Sequence, residues 1–120
     1  MCGSLVDARG LHGLSCRKSA PGHVRHSLIN DILWRAIRKA QVPACKEPVG
    51  LSRSDGKRPD GVTLIRCSHG KPLVWDVTAP DTIAWSHITS TESNAGAAAG
   101  KAACSKTKKY EHLSITHNFI

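Results

Sequence analysis

The feature that most constrains the fold is the stretch 58–78. Two runs rich in Val, Leu, Ile, Thr and Trp, residues 57–65 and 72–78, flank Ser68, His69, Gly70 and Lys71. β-branched and aromatic residues favour a pleated, half-buried surface, and the short polar segment between them carries turn chemistry, so the stretch predicts a β-hairpin. Each run carries one aspartate, Asp60 near the start of the first and Asp76 near the end of the second. Side chains alternate across a sheet, which places Asp60, Val62 and Leu64 on one face and Val74, Asp76 and Thr78 on one face. A turn centred on His69 makes the two aspartates diagonal neighbours with Cα atoms roughly 7–8 Å apart. A register shifted by two puts them directly opposite. In either case two carboxylates converge and repel unless a cation lies between them, and Mg²⁺, which binds through one or two carboxylates plus water and substrate phosphate, suits that gap. Pro59-Asp60-Gly61 also reads as an ordinary solvated turn, and the residues alone leave both readings open.

Charge points to the partner. The chain has 120 residues, enough for one small domain, and a formal net charge of +8 with nine acidic side chains. A small domain this basic suits a polyanion. Three Trp, one Tyr and one Phe are too few for a base-stacking platform. Five cysteines, an odd number, and no secretory leader predict a reducing, intracellular setting with free or metal-bound thiols. No apolar run approaches the ~18–20 residues of a membrane span.

Along the chain, residues 1–20 are Gly/Ser-rich. Cys2, His12 and Cys16 have zinc-like spacing but make three ligands where a closed site needs four, with His23 as a candidate fourth. Residues 25–41 predict a helix, with Leu28, Ile29, Ile32, Leu33, Ala36, Ile37 and Ala40 as the apolar stripe that packs on the sheet and Pro43 as its stop. Arg25 and His26 stand at its entrance as candidate phosphate contacts. Residues 44–51 predict a short edge or bulged strand containing Pro48, with Glu47 as a candidate third metal carboxylate. Residues 79–90 read as a connector. The alanine-rich segment 91–110 reads as a second helix, capped by Thr91 or Ser93, with Gly96 and Gly100 weakening it or permitting close approach to the sheet. Lys101, Lys106, Lys108 and Lys109 crowd its C-terminal half, where cations complement the helix dipole or reach toward phosphate. Residues 113–120 begin like another strand.

The order helix, strand, hairpin with two aspartates, helix, strand resembles the PD-(D/E)xK nuclease core. The chain looks like the restriction-like endonuclease segment at the C-terminal end of retrotransposon reverse transcriptase polyproteins. The matching pieces are His12 to Cys16, Arg25-His26, Arg58-Pro59-Asp60, Asp76 and Lys109-Tyr110. The resemblance implies an α/β fold, a mixed sheet of about four strands flanked by two helices. It also implies a truncated Cys/His zinc-knuckle segment over 1–22 and the nuclease-like domain over 23–120, its last strand incomplete. It implies metal-dependent hydrolysis of DNA phosphodiesters in the nucleus, with Asp60 and Asp76 holding Mg²⁺ or Mn²⁺, Lys109 as the catalytic lysine, and Arg25, His26, Arg58 and Lys106 on DNA. The chain departs from the pattern in three ways. Thr78 stands where a lysine usually follows the second acid, so that Lys109, or else Lys106 or Lys101, must substitute. The spacer between the acids is long, and both ends look cut. A non-catalytic DNA-binding remnant, or a relic without function, is therefore the alternative expectation.

Overall fold

A computed structural model describes Gly3, Leu5, Ala8 and residues 20–82 and 84–120, with the backbone alone described for residues 20–22 and 85. Among the described residues the chain forms helix α1 (Ala20–Lys39), strand β1 (Ala44–Lys46), a 3-10 turn (Val49–Leu51), strands β2 (Gly61–Thr63) and β3 (Leu73–Trp75), helices α2 (Trp85–Ser93) and α3 (Ala97–Lys109), a second 3-10 turn (Glu111–Leu113) and strand β4 (Asn118–Phe119). The fold is mixed α/β, with a four-stranded sheet in the order β1-β2-β3-β4. β1, β2 and β3 are antiparallel neighbours, and β4 joins β3 in parallel. β1 is an edge strand, consistent with Pro48 just past its end. The chain divides into two compact units, one formed by the segment up to Leu28 with Thr78–Cys104, the other by Ile29–Val77 with Ser105–Ile120.

In the second unit the alternation of β2 and β3 sorts side chains onto two sheet faces. On one face Val62, Val74, Tyr110 and Leu113 form a buried cluster, with Cys45, Leu51 and Phe119 packed against it. Tyr110 and Phe119 stack at 5.1 Å between ring centroids. On the other face Trp75, 1 % exposed, lies over Gly61 and donates from Nε1 to the Asn30 Oδ1 of α1 at 2.8 Å. Trp34 of the same helix donates to the Ala44 carbonyl at 3.1 Å. The helix side turned to β1 and β3 is therefore built on Asn30 and Trp34. Leu28, Ile29 and Ile32, predicted to face the sheet, are 57, 45 and 68 % exposed. Two ring N–H groups that find acceptors fix the rotation of α1, which the apolar spacing alone misplaced.

The hairpin also departs from expectation. The pairs Gly61–Trp75 and Val62–Val74 continue to Asp60 opposite Asp76, the shifted register rather than the one centred on His69. Thr63 accounts for the shift. Its hydroxyl accepts from the Leu73 N–H and donates to the Ile65 carbonyl, each at 2.9 Å, ending the ladder there. Residues 64–67 then bulge before a tight turn closed by Ser68 and Lys71, with His69 at φ 47° and Gly70 at φ 71°. Each strand has only three residues, shorter than the apolar runs suggested.

In the first unit the expected connector contains helix α2, so the described residues form three helices where two were expected. The single helix predicted over 91–110 is broken at 94–96, because Gly96 adopts φ 79°, a left-handed conformation that no α-helix continues through. Ser93 caps nothing; its hydroxyl donates back to the Thr89 carbonyl at 3.0 Å. Gly100 has open space around it rather than a close neighbour. Ala98 is buried.

Candidate metal centre

Asp60 and Asp76 belong to the second unit and stand just outside the facing ends of β2 and β3. Each has a carboxylate oxygen within 4.8 Å of one on the other. Both project to the face that carries Val62, Val74 and Tyr110, as the two-residue side-chain period requires. The Asp60 carbonyl accepts from the Glu47 N–H at 2.9 Å, and its Oδ2 accepts from the Val77 N–H at 2.7 Å. The strand that bears Asp76 thus orients Asp60.

The Asp76 side chain is 5 % exposed, and α3 delivers two ammonium groups to it, Lys106 Nζ at 2.7 Å and Lys109 Nζ at 3.4 Å from Oδ2. Residues three apart on a helix share a face, which is why both reach one oxygen. Burial pushes the Asp76 carboxyl up. The hydrogen bond and charge of Lys106, the charge of Lys109 and a hydrogen bond with Asp60 outweigh it, so the group titrates below its ordinary range. Lys109 also lies 4.4 Å from the centre of the Tyr110 ring, and Arg53 donates to the Lys109 carbonyl at the end of α3. Tyr110 is fully buried, with its hydroxyl beside the Asp76 carboxylate. Burial, then the negative charge of Asp76 and a hydrogen bond to it, then the charge of Asp60, push that hydroxyl's pKa up.

Glu47, at φ 47°, pairs with Arg58 and is mostly exposed, which turns both the candidate third carboxylate and the candidate DNA contact toward each other. Arg25 and His26 lie on the part of α1 that belongs to the first unit. Arg25 is exposed and His26 half-buried, one helical turn before Asn30. Cys2, His12 and Cys16 lie outside the described residues. Cys45, Cys67 and Cys104 are free thiols. Lys101 is exposed.

Sequence reasoning gave Lys106 to DNA, whereas it is the cation nearest Asp76. The i, i+3 spacing of Lys106 and Lys109 was the available signal. Arg53, 56 residues from the carbonyl it meets, left no local signal. The two carboxylates belong to a group of side chains that could hold a metal ion. Among the described residues no helix is long and apolar enough to cross a membrane. Compared with known protein families, characterised proteins and solved structures, the chain matches none.

Proposed function

We propose that the chain is a metal-dependent DNA endonuclease domain of the PD-(D/E)xK type and of retrotransposon origin. The reading is carried by one observation, the convergence of the Asp60 and Asp76 carboxylates from facing strands beside two lysines of α3. Asp60 and Asp76 would hold Mg²⁺ or Mn²⁺. The cation would supply Lewis acidity and a bound water of lowered pKa. The residues of the chain do the rest. The Val77 N–H holds Asp60 in orientation. Lys106 and Lys109 provide the positive charge that Thr78 does not, placed to stabilise negative charge growing on a phosphate oxygen. The net charge of +8 draws the DNA backbone in. Arg25 and His26 are assigned to the strand as phosphate contacts.

One observation favours a second reading, a DNA-binding domain that no longer cleaves. The Lys106 ammonium already occupies Asp76 Oδ2 at 2.7 Å, one of the two oxygens a cation could take. Nicking of supercoiled plasmid in Mg²⁺ or Mn²⁺ tests the first reading. We expect nicking that Asp60→Ala and Asp76→Ala abolish and Lys109→Met lowers by about a hundredfold, the scale of losing one positioned charge donor. Nicking that survives Asp76→Ala refutes the nuclease reading. Absence of nicking combined with steeply salt-dependent DNA binding selects the second reading.

A further inference from the structure

The last carbonyls of an α-helix have no partner within the helix and must find one elsewhere. At the end of α3 the Lys109 carbonyl finds the guanidinium of Arg53, which donates to it from 56 residues away in sequence. A closed turn presents that guanidinium. The Arg53 N–H donates to the Lys57 carbonyl at 2.8 Å, and the Arg53 carbonyl accepts from the Gly56 N–H at 3.0 Å. Gly56 takes φ 75°, a left-handed conformation that glycine adopts without a steric penalty. Asp55 steers the guanidinium in turn, its Oδ1 lying 3.3 Å from Arg53 Nε. The Arg53 charge is felt at the buried hydroxyl of Tyr110, the residue that follows Lys109. Arg53 therefore stands at the base of the carboxylate centre, on the segment that leads through Lys57, Arg58 and Pro59 into Asp60.

A further cation at a helix end that already carries Lys106, Lys108 and Lys109 is a repulsion that a neutral side chain would avoid. Pairing with Asp55 offsets it and leaves Lys106 and Lys109 to Asp76, at 2.7 and 3.4 Å from its Oδ2. Lys109 is the last residue of α3, and helix ends fray. The backbone that Arg53 holds is the backbone that carries the Lys109 ammonium. We propose that Arg53 is a positioning residue that clamps the last turn of α3 and so keeps the ammonium groups of Lys109 and Lys106 on Asp76. Its part in cleavage rests on the function proposed above; the placement of the two lysines does not.

A double-mutant cycle in the full chain, read by guanidinium unfolding near neutral pH, separates this role from that of a plain helix cap. Arg53→Met is made in the wild type and in Asp76→Asn. A cap contributes the same amount in both backgrounds, to within about twofold in the folding equilibrium constant. A residue that holds the lysines on Asp76 loses part of its value when Asp76 loses its charge, so the cost of Arg53→Met should be at least about threefold larger in the wild type. Arg53→Lys, which keeps one donor but not the fork that also reaches Asp55, carries the same comparison if Arg53→Met does not fold. Plasmid nicking in Mg²⁺ is the separate functional readout. Arg53→Met should lower kcat by about ten- to a hundredfold, the scale of a misplaced charge donor, and leave the salt dependence of DNA binding unchanged. Equal costs in the two backgrounds, or a kcat equal to that of the wild type, overturns the proposal. If the wild type does not nick, the nuclease reading falls and the cycle alone decides whether Arg53 positions the lysines. If the wild type nicks and the costs are equal, only the role of Arg53 falls.

Discussion

Gly61→Ala attacks the hairpin at the point that brings the two aspartates together. A Cβ at position 61 would lie within 2.6 Å of three carbons of the Trp75 ring. Carbon atoms pack at roughly 3.5–4.0 Å, so the ring or the strand must withdraw by about 1.5 Å or more. The ring has no room to yield, being 1 % exposed and held by its Nε1 to Asn30 at 2.8 Å. Forcing a group into a filled core costs about 1–3 kcal/mol. Breaking the Trp75–Asn30 hydrogen bond with both partners buried adds about 1–3 kcal/mol. The expected loss is about 3 kcal/mol or more, which for a chain of this size is about 12 °C or more in Tm. Guanidinium unfolding followed by tryptophan fluorescence and far-UV circular dichroism measures it. Because Gly61 adjoins Asp60 and its strand partner Trp75 adjoins Asp76, divalent-cation binding should weaken in the same variant. Combining Gly61→Ala with Trp75→Leu should recover part of the loss, since a smaller side chain makes room for the methyl. A Gly61→Ala protein within about 0.5 kcal/mol of wild type, the range of an inconsequential surface change, would refute the reasoning.

Gly100→Ala should act with the opposite sign. The position is inside α3 with nothing near a new Cβ, so a stabilisation of about 0.5–1 kcal/mol is expected by chemical denaturation, and destabilisation would contradict the packing of that helix. Asp76 sets a pH dependence. Its folded pKa is depressed, so its contribution to stability is complete above the unfolded value of about 3.9 and disappears as pH falls through the lower folded value. Asp76→Asn should therefore be less stable than wild type near neutrality, and the gap should close on acidification below about pH 4; a gap that persists at low pH would show that charge pairing with Lys106 and Lys109 is not its cause.

Much of the architecture was legible before any coordinates. The strand-like runs around Ser68 to Lys71, the helix ahead of Pro43 and the alanine-rich segment before Lys109 gave the order of elements. Strict alternation was enough to place Asp60 and Asp76 on one face, because the period of a strand is a local property of the backbone. Other parts were hidden because they depend on partners distant in sequence. Pro59-Asp60-Gly61 is turn vocabulary, yet Gly61 is a strand residue whose missing side chain is required by a tryptophan fourteen positions on.

The chain alone thus determined which residues could meet: two acids on one ribbon face and a lysine-rich helix end on a strongly basic protein. The tertiary structure decided how they meet. The Thr63 hydroxyl set the hairpin register that puts Asp60 opposite Asp76. Two indole N–H groups, that of Trp75 buried and that of Trp34 half-buried, set the rotation of α1. The docking of the end of α3 placed both Lys106 and Lys109 on Asp76 and sealed the Tyr110 hydroxyl beside it. Periodicity is written residue by residue, whereas register, helix rotation and the satisfaction of buried polar groups are settled only when distant segments compete for the same donors and the same space.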